Sequence, residues 1–362
     1  MPEKTKISQQ YRLSRRGFNL GRASETCPND GSIIEAWQQG SPILLKEVCA
    51  NLLEDFQGNI QESFQLYEIA LSGEFSCDEM LAQEPYRSRL EPMFESLGSS
   101  MNEGDDQEIE TVLFDANDQG EVVAEDLWMK ASWLSFHEED ASLRFRFSFG
   151  VDLHEDVAAD QHRQHYASLL TDAVFPESRV ITDNQHLQAT LLQVLGSDNV
   201  NFVERIVYFN SPNGGAYLHH DRERGHAGVV YAQVTGETFW LALPKQQLMQ
   251  ELGAFITQCQ LNQRWPDSVT TNMQEELVAL VRDSQALSEQ LESFSNATLI
   301  HVMNETQAFV QHLMSQGHGR HLQAGDVLLL PQETDASCCW HSVFCLGEET
   351  GQALSFAIRS GE

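Results

Sequence analysis

The chain has 362 residues, enough to bury a sizeable core as two domains or one elaborated barrel. Its 54 acidic against 22 basic residues give a formal net charge of −32, a field that repels nucleic acid and anionic membrane, favours solubility and attracts basic peptides. Seven cysteines, odd in number and without a CxxC pair, point to reduced thiols in a cytoplasm, and no apolar run is long enough to span a bilayer.

Residues 1–30 read as a flexible basic tail. Ser14 to Leu20, SRRGFNL, has the start of a twin-arginine export signal, but the polar GRASETCPNDG that follows lacks the apolar segment such a signal needs. Residues 31–100 read as helical, with Leu52, Leu53, Phe56, Ile60, Phe64 and Tyr67 at three- and four-residue spacing. After an acidic break at Met101 to Glu108, residues 101–199 carry hairpins and helices leading into a barrel. One hairpin turns at Asp118 to Gly120 and another at Glu138 to Ala141. Phe145, Phe147 and Phe149 alternate with Arg144, Arg146 and Ser148, which predicts one apolar and one wet face.

Residues 200–362 read as a barrel. Arg205 to Pro212 alternates like a strand, Gly214 and Gly215 turn the chain, and Tyr217 to Asp221 resumes an extended course. Val229 to Pro244 predicts two strands bent at Gly236, with further strands at Gly325 to Pro331 and Ala353 to Arg359. Between them, residues 245–320 form a helical insertion. Leu277, Leu280, Val281, Leu287, Leu291 and Phe294 share one helix face, and Phe309, Val310 and Leu313 another. Its role is a scaffold over the barrel, a homodimer contact or a lid over the site. The fold class is α+β with a mainly β core, a small barrel or jelly roll.

The chemistry sits in the barrel. On a strand His219 and Asp221 share a face and His220 takes the other, unless a one-residue slip exchanges His219 and His220. A closed barrel brings His341, beside Trp340, next to His219. Two imidazoles and a carboxylate are the facial triad that holds non-haem Fe(II) with open positions. His226, His318 and His321 lie in glycine-bearing loops and read as solvated, and Cys338 and Cys339 as small apolar filler.

The order Ser211-Pro212-Asn213-Gly214-Gly215, His219-x-Asp221, Gly236-x-x-x-Trp240, Gly325-Asp326-x-Leu328-x-x-Pro331, His341 and Ser355-Phe356-x-x-Arg359 resembles the JmjC/cupin-like 2-oxoglutarate oxygenases. Within that group it is similar to the bacterial ribosomal-protein hydroxylases and the asparaginyl hydroxylase type. The resemblance covers residues 200–244 and 322–360, with Trp37 to Val48 as an entering strand. It implies a double-stranded β-helix, Fe(II) on His219, Asp221 and His341, 2-oxoglutarate as cosubstrate, and hydroxylation of a C–H bond in a protein, peptide or small molecule.

Two departures stand out. Where the family has Lys or Arg two residues beyond the strand glycine to pair with the far carboxylate of 2-oxoglutarate, this chain has Thr238, which makes Arg359 the substitute cation. The stretch from Pro331 to His341 is also longer than usual. Tyr208 and Tyr217 join Thr238 and Arg359 as expected pocket residues. Two other readings remain open: a cupin-like metalloenzyme that does not use 2-oxoglutarate, and a non-catalytic binding module.

Overall fold

The computed structural model describes residues 10–24, 32–100, 108–135, 140–150, 159–222 and 226–360. Strand β1 (Gln10–Arg15) pairs with β2 (Phe18–Ser24). There follow β3 (Ile43–Leu45), β4 (Phe94–Ser100), β5 (Glu108–Asp118), β6 (Glu121–Trp133), β7 (Leu143–Phe149) and β8 (Val200–Asn210). The last set is β9 (Gly228–Gln233), β10 (Glu237–Pro244), β11 (Gly319–Gln323), β12 (Val327–Pro331), β13 (Cys339–Leu346) and β14 (Gly351–Ser360).

A nine-stranded sheet runs β3-β12-β9-β14-β8-β7-β6-β5-β4, and a three-stranded sheet runs β11-β10-β13; their pairings are antiparallel. Between the two sheets Tyr231, Trp240, Leu328, Cys339, Val343 and Ala353 form a shared core. Strands in the middle are buried on both faces, which explains their near-continuous apolar runs. In β12, Leu328 and Leu330 face this inner core, whereas Val327 and Leu329 face a second core behind the long sheet. That second core packs Phe145, Phe147, Phe209 and Phe356 against helices drawn from residues 50–90 and 161–195. A third core lies on the outer face of the short sheet, where Phe239, Leu241 and Phe344 meet the insertion helices and the β1–β2 hairpin.

Three expectations are corrected. Residues 10–24 are no tail: Leu13 and Leu20 are fully buried, and Arg15 is 1% exposed, because the hairpin closes the third core. The rest of the expected tail, residues 1–9 and 25–30 with Cys27, lies outside the described residues, as do the break at 101–107 and part of the second hairpin turn. The apolar stripe from Leu277 to Phe294 is split into helices Thr271–Leu280 and Ser284–Ser293, since Asp283 caps the second by accepting from the Gln285 and Ala286 amides. His226 and His321 are buried and not solvated. His321 lies on β11, with Nε2 2.8 Å from Glu237 Oε2 and Nδ1 3.1 Å from the Tyr11 hydroxyl, and His318 is half-buried on Glu251.

Candidate metal centre

Residues 214–219 leave β8 and lie antiparallel along β13. Ala216 and Val343 exchange both backbone hydrogen bonds (3.1 and 3.0 Å), and so do His219 and His341 (2.9 and 2.8 Å). The close approach requires glycine at Gly215, where φ is +128° and an added Cβ would strike the Val343 carbonyl.

The pairing puts the two imidazoles side by side, ring centres 4.3 Å apart, with the Asp221 carboxylate between them. Asp221 Oδ1 is 3.4 Å from His219 Nε2 and Oδ2 is 3.3 Å from His341 Nε2. One ligand atom from each residue lies within 4.8 Å of the others, the only such group of three metal-ligating side chains among the described residues. Each imidazole turns Nδ1 toward a backbone carbonyl, His219 to Tyr217 O (2.6 Å) and His341 to Cys339 O (3.3 Å). That assigns the proton to Nδ1 and leaves the Nε2 lone pair for coordination.

Charge within the group is uneven. Burial works against ionising Asp221, but the two imidazoles outweigh it and hold the carboxyl well below its usual range. Burial and the neighbouring His219 push His341 below the ordinary histidine value, so it is neutral. Burial also opposes charge on His219, yet its bond to Asp221 wins and raises it. Asp221 and His341 thus have the protonation states a divalent metal requires, and at His219 the metal would take the place of the proton that Asp221 favours.

The triad opens on a cavity of about 360 Å³ walled by Tyr208, Tyr231, Trp240, Leu330 and Val343, with Arg16 and Arg144 as its cations and Phe294 of the insertion at its rim. Arg144 Nε donates to Ser132 Oγ (3.2 Å), and among the described residues no carboxylate pairs with it. Arg16 stacks on Tyr217 and donates to Gly215 O (3.2 Å). A smaller cavity of about 160 Å³ adjoins across Arg144, Tyr208 and Asp221, and adds Arg146, Glu204 and His226. Burial, then the charge of Asp221, pushes the Tyr208 hydroxyl up to about 12, which keeps it a donor at neutral pH.

No family model matches the sequence, and no curated protein does. Among solved structures the chain is similar to YcfD, a ribosomal oxygenase from Escherichia coli, at 12% identity and a TM-score of 0.27, over 93% of this chain and 53% of that one. It is also similar to an oxidoreductase of the 2OG-Fe(II) oxygenase family from Burkholderia pseudomallei, at 7% identity and a TM-score of 0.27, over 65% of this chain and 69% of that one. The match to YcfD thus spans about half of that protein. Likenesses this weak leave the reading of the site to its own geometry.

His219, Asp221, His341, Tyr208 and Tyr217 all line the large cavity. His220 points away, meets Trp340 edge to face and bonds Glu292 (3.1 Å). Thr238 and Arg359, the other expected pocket residues, line neither of these two cavities. Thr238 is fully buried beside Trp240: its hydroxyl donates to Gln233 Oε1 (2.7 Å) and accepts from Trp240 Nε1 (2.9 Å), and neither cavity reaches it. Arg359 shares a strand with the cavity residue Ser355, but four residues further along, roughly 13 Å at the rise of a strand, and it lines neither cavity. The cations at the site, Arg16 and Arg144, come instead from the N-terminal hairpin and from β7. Arg144 had one visible signal, its place on the wet face opposite Phe145. Cys338 and Cys339 are buried filler, and burial raises both thiols, Cys338 to about 11. No helix among the described residues is long and apolar enough to cross a membrane.

Proposed function

We propose that the protein is a non-haem Fe(II), 2-oxoglutarate-dependent oxygenase that hydroxylates a C–H bond of a protein, peptide or small molecule. In this reading β8, residues 214–219 and β9 to β14 form a double-stranded β-helix, as the crossing of the chain between the two sheets at every step except β10 to β11 suggests. The observation that carries the proposal is the convergence of two imidazole Nε2 atoms and one carboxylate within 4.8 Å at the wall of a cavity large enough for a small ligand.

His219, Asp221 and His341 fit a facially bound divalent metal, which with 2-oxoglutarate and O₂ supplies oxidative C–H hydroxylation. The chain's own contribution is positional. Arg144 supplies the cation for a far carboxylate that Thr238 does not, and the protonated Tyr208 donates to an oxygen of the bound ligand. Trp240, Tyr231, Leu330 and Val343 keep that space dry.

Anaerobic titration with Fe(II) or Co(II) tests the metal. One equivalent binds to the wild type, and His219→Ala, Asp221→Ala and His341→Ala each abolish binding while the far-UV spectrum is kept. Absence of binding to the wild type would overturn the proposal. The walled-in, neutral Thr238 favours a second reading, a metalloenzyme with the same ligands that does not consume 2-oxoglutarate. Succinate formed from 2-oxoglutarate under O₂ decides between them.

A further inference from the structure

The pairing of residues 214–219 with β13 is not in simple register. A regular antiparallel ladder that pairs Ala216 with Val343 next pairs Leu218 with His341, two residues along on each strand. Here it is His219 that exchanges hydrogen bonds with His341, so Tyr217 and Leu218 together face Ser342 in a β-bulge. One residue decides the chemistry. In regular register Leu218 faces the cavity and His219 the opposite side, because a single slip reverses every side chain. With the bulge, Ala216, His219, His341 and Val343 all line the cavity, and Leu218 is buried in the outer core.

The bulge is held from behind by Arg15 and Asn304. Arg15 Nη1 donates to Ala216 O and Ser342 Oγ (both 2.5 Å), one on each side of the bulge, and Nη2 donates to Asn304 O (2.9 Å). The Leu218 amide is taken up by Asn304 Oδ1 at 2.7 Å. The Arg15 guanidinium lies between the rings of Tyr217 and Phe344, at 4.8 and 4.6 Å, with no ion-pair partner among the described residues. Arg15 touches none of the three metal-ligating side chains.

We propose that Arg15 and Asn304 are positioning residues that hold the bulge and thereby keep His219 on the metal side, so that the N-terminal hairpin and the insertion jointly set the register of the site. The inference rests on the metal reading for its consequence, but the bulge is testable without metal. Arg15→Lys keeps the charge and loses the planar fork that spans both strands. In the metal-free variant, amide hydrogen exchange at Leu218 and His219 is expected to accelerate at least tenfold relative to residues of β14. Co(II) affinity is expected to fall 10- to 100-fold, the usual range for groups that orient metal ligands, with an altered visible spectrum. Asn304→Ala, which leaves the Leu218 amide without its acceptor, is expected to do the same and serves if the lysine variant does not fold.

A folded variant of either kind with wild-type exchange at Leu218 and His219 overturns the proposal, whatever the protein binds. So does faster exchange with Co(II) affinity and spectrum unchanged, because the bulge then has no bearing on the ligands. A wild type that binds no Co(II) sinks the metal reading instead, and the exchange result still decides whether Arg15 and Asn304 hold the register.

Discussion

Replacing Gly215 by alanine forces a choice between the added methyl and the approach of two ligand-bearing segments. A Cβ there would overlap the Val343 carbonyl oxygen, meet its carbon at 2.8 Å and Phe344 Cα at 3.3 Å. Carbon atoms in contact rest about 3.5–4.0 Å apart, so residues 214–219 must draw back from β13 by roughly 1 Å. A metal site tolerates only about 0.2 Å in its ligand distances, and we expect Co(II) affinity to fall at least a hundredfold, about 2.8 kcal/mol. The φ of +128° adds backbone strain of about 1–3 kcal/mol, to be read from denaturant unfolding of the metal-free protein. Gly196→Ala is the control. Gly196 ends a helix at φ +61° with nothing within 4 Å of an added Cβ, so stability should drop while metal binding stays. A Gly215→Ala protein with wild-type Co(II) affinity would refute the claim that this contact places His219 against His341.

Arg144→Met should weaken binding of a dicarboxylate to the metal-loaded protein at least tenfold with metal affinity intact, whereas Arg359→Met should leave it unchanged; calorimetry showing the reverse restores Arg359 to the site. Glu177 is fully buried, and burial raises its carboxyl against opposing bonds from Ser63 and Gln352. The folded state therefore holds the proton to higher pH than the unfolded chain does, and wild-type stability falls as pH climbs from the ordinary glutamate value through the raised one. Glu177→Gln removes that loss, so its melting temperature should exceed the wild type's at pH 8 and the gap should vanish below about pH 4. Lys245, 4% exposed, ties Glu292 of the insertion (2.6 Å) to Asp335 (3.0 Å) beside the helix end that carries Phe294. Lys245→Met should speed amide exchange over residues 284–294 without loss of metal; unchanged exchange would mean the rim is held by packing alone.

The triad could be read from the chain because its residue types are rare in combination and a strand period assigns their faces. That period does not foresee the bulge, which depends on Arg15 and Asn304, residues that lie far away in sequence. The Arg15-Arg16 pair read as part of a polar tail because arginine is seldom fully buried, and nothing local announces the acceptors waiting for it. Arg359 was the natural substitute for Thr238 on the closing strand, but where a side chain reaches depends on its distance along the strand, and no motif spells that out. The split at Asp283 was hidden because the apolar phase continues across it. The helices of residues 31–100 contribute no residue to the cavity wall; they cover the back of the long sheet, where the apolar alternation of β7 needed a partner.

The buried arginine also bears on time. Arg15 and its acceptor Ser342 are 327 residues apart, and Tyr11 and His321 are 310 apart. At ordinary rates of synthesis the hairpin therefore leaves the ribosome roughly 15 to 65 s before the strand it must dock on. Through that interval Leu13 and Leu20, which end with no exposure at all, have no partner surface, and the hairpin depends on chaperones or on its own low hydrophobicity to stay clear of aggregation. On the proposed function, the site is complete only once β13, which carries His341, has been made, so the hairpin waits for the same strand that the metal does.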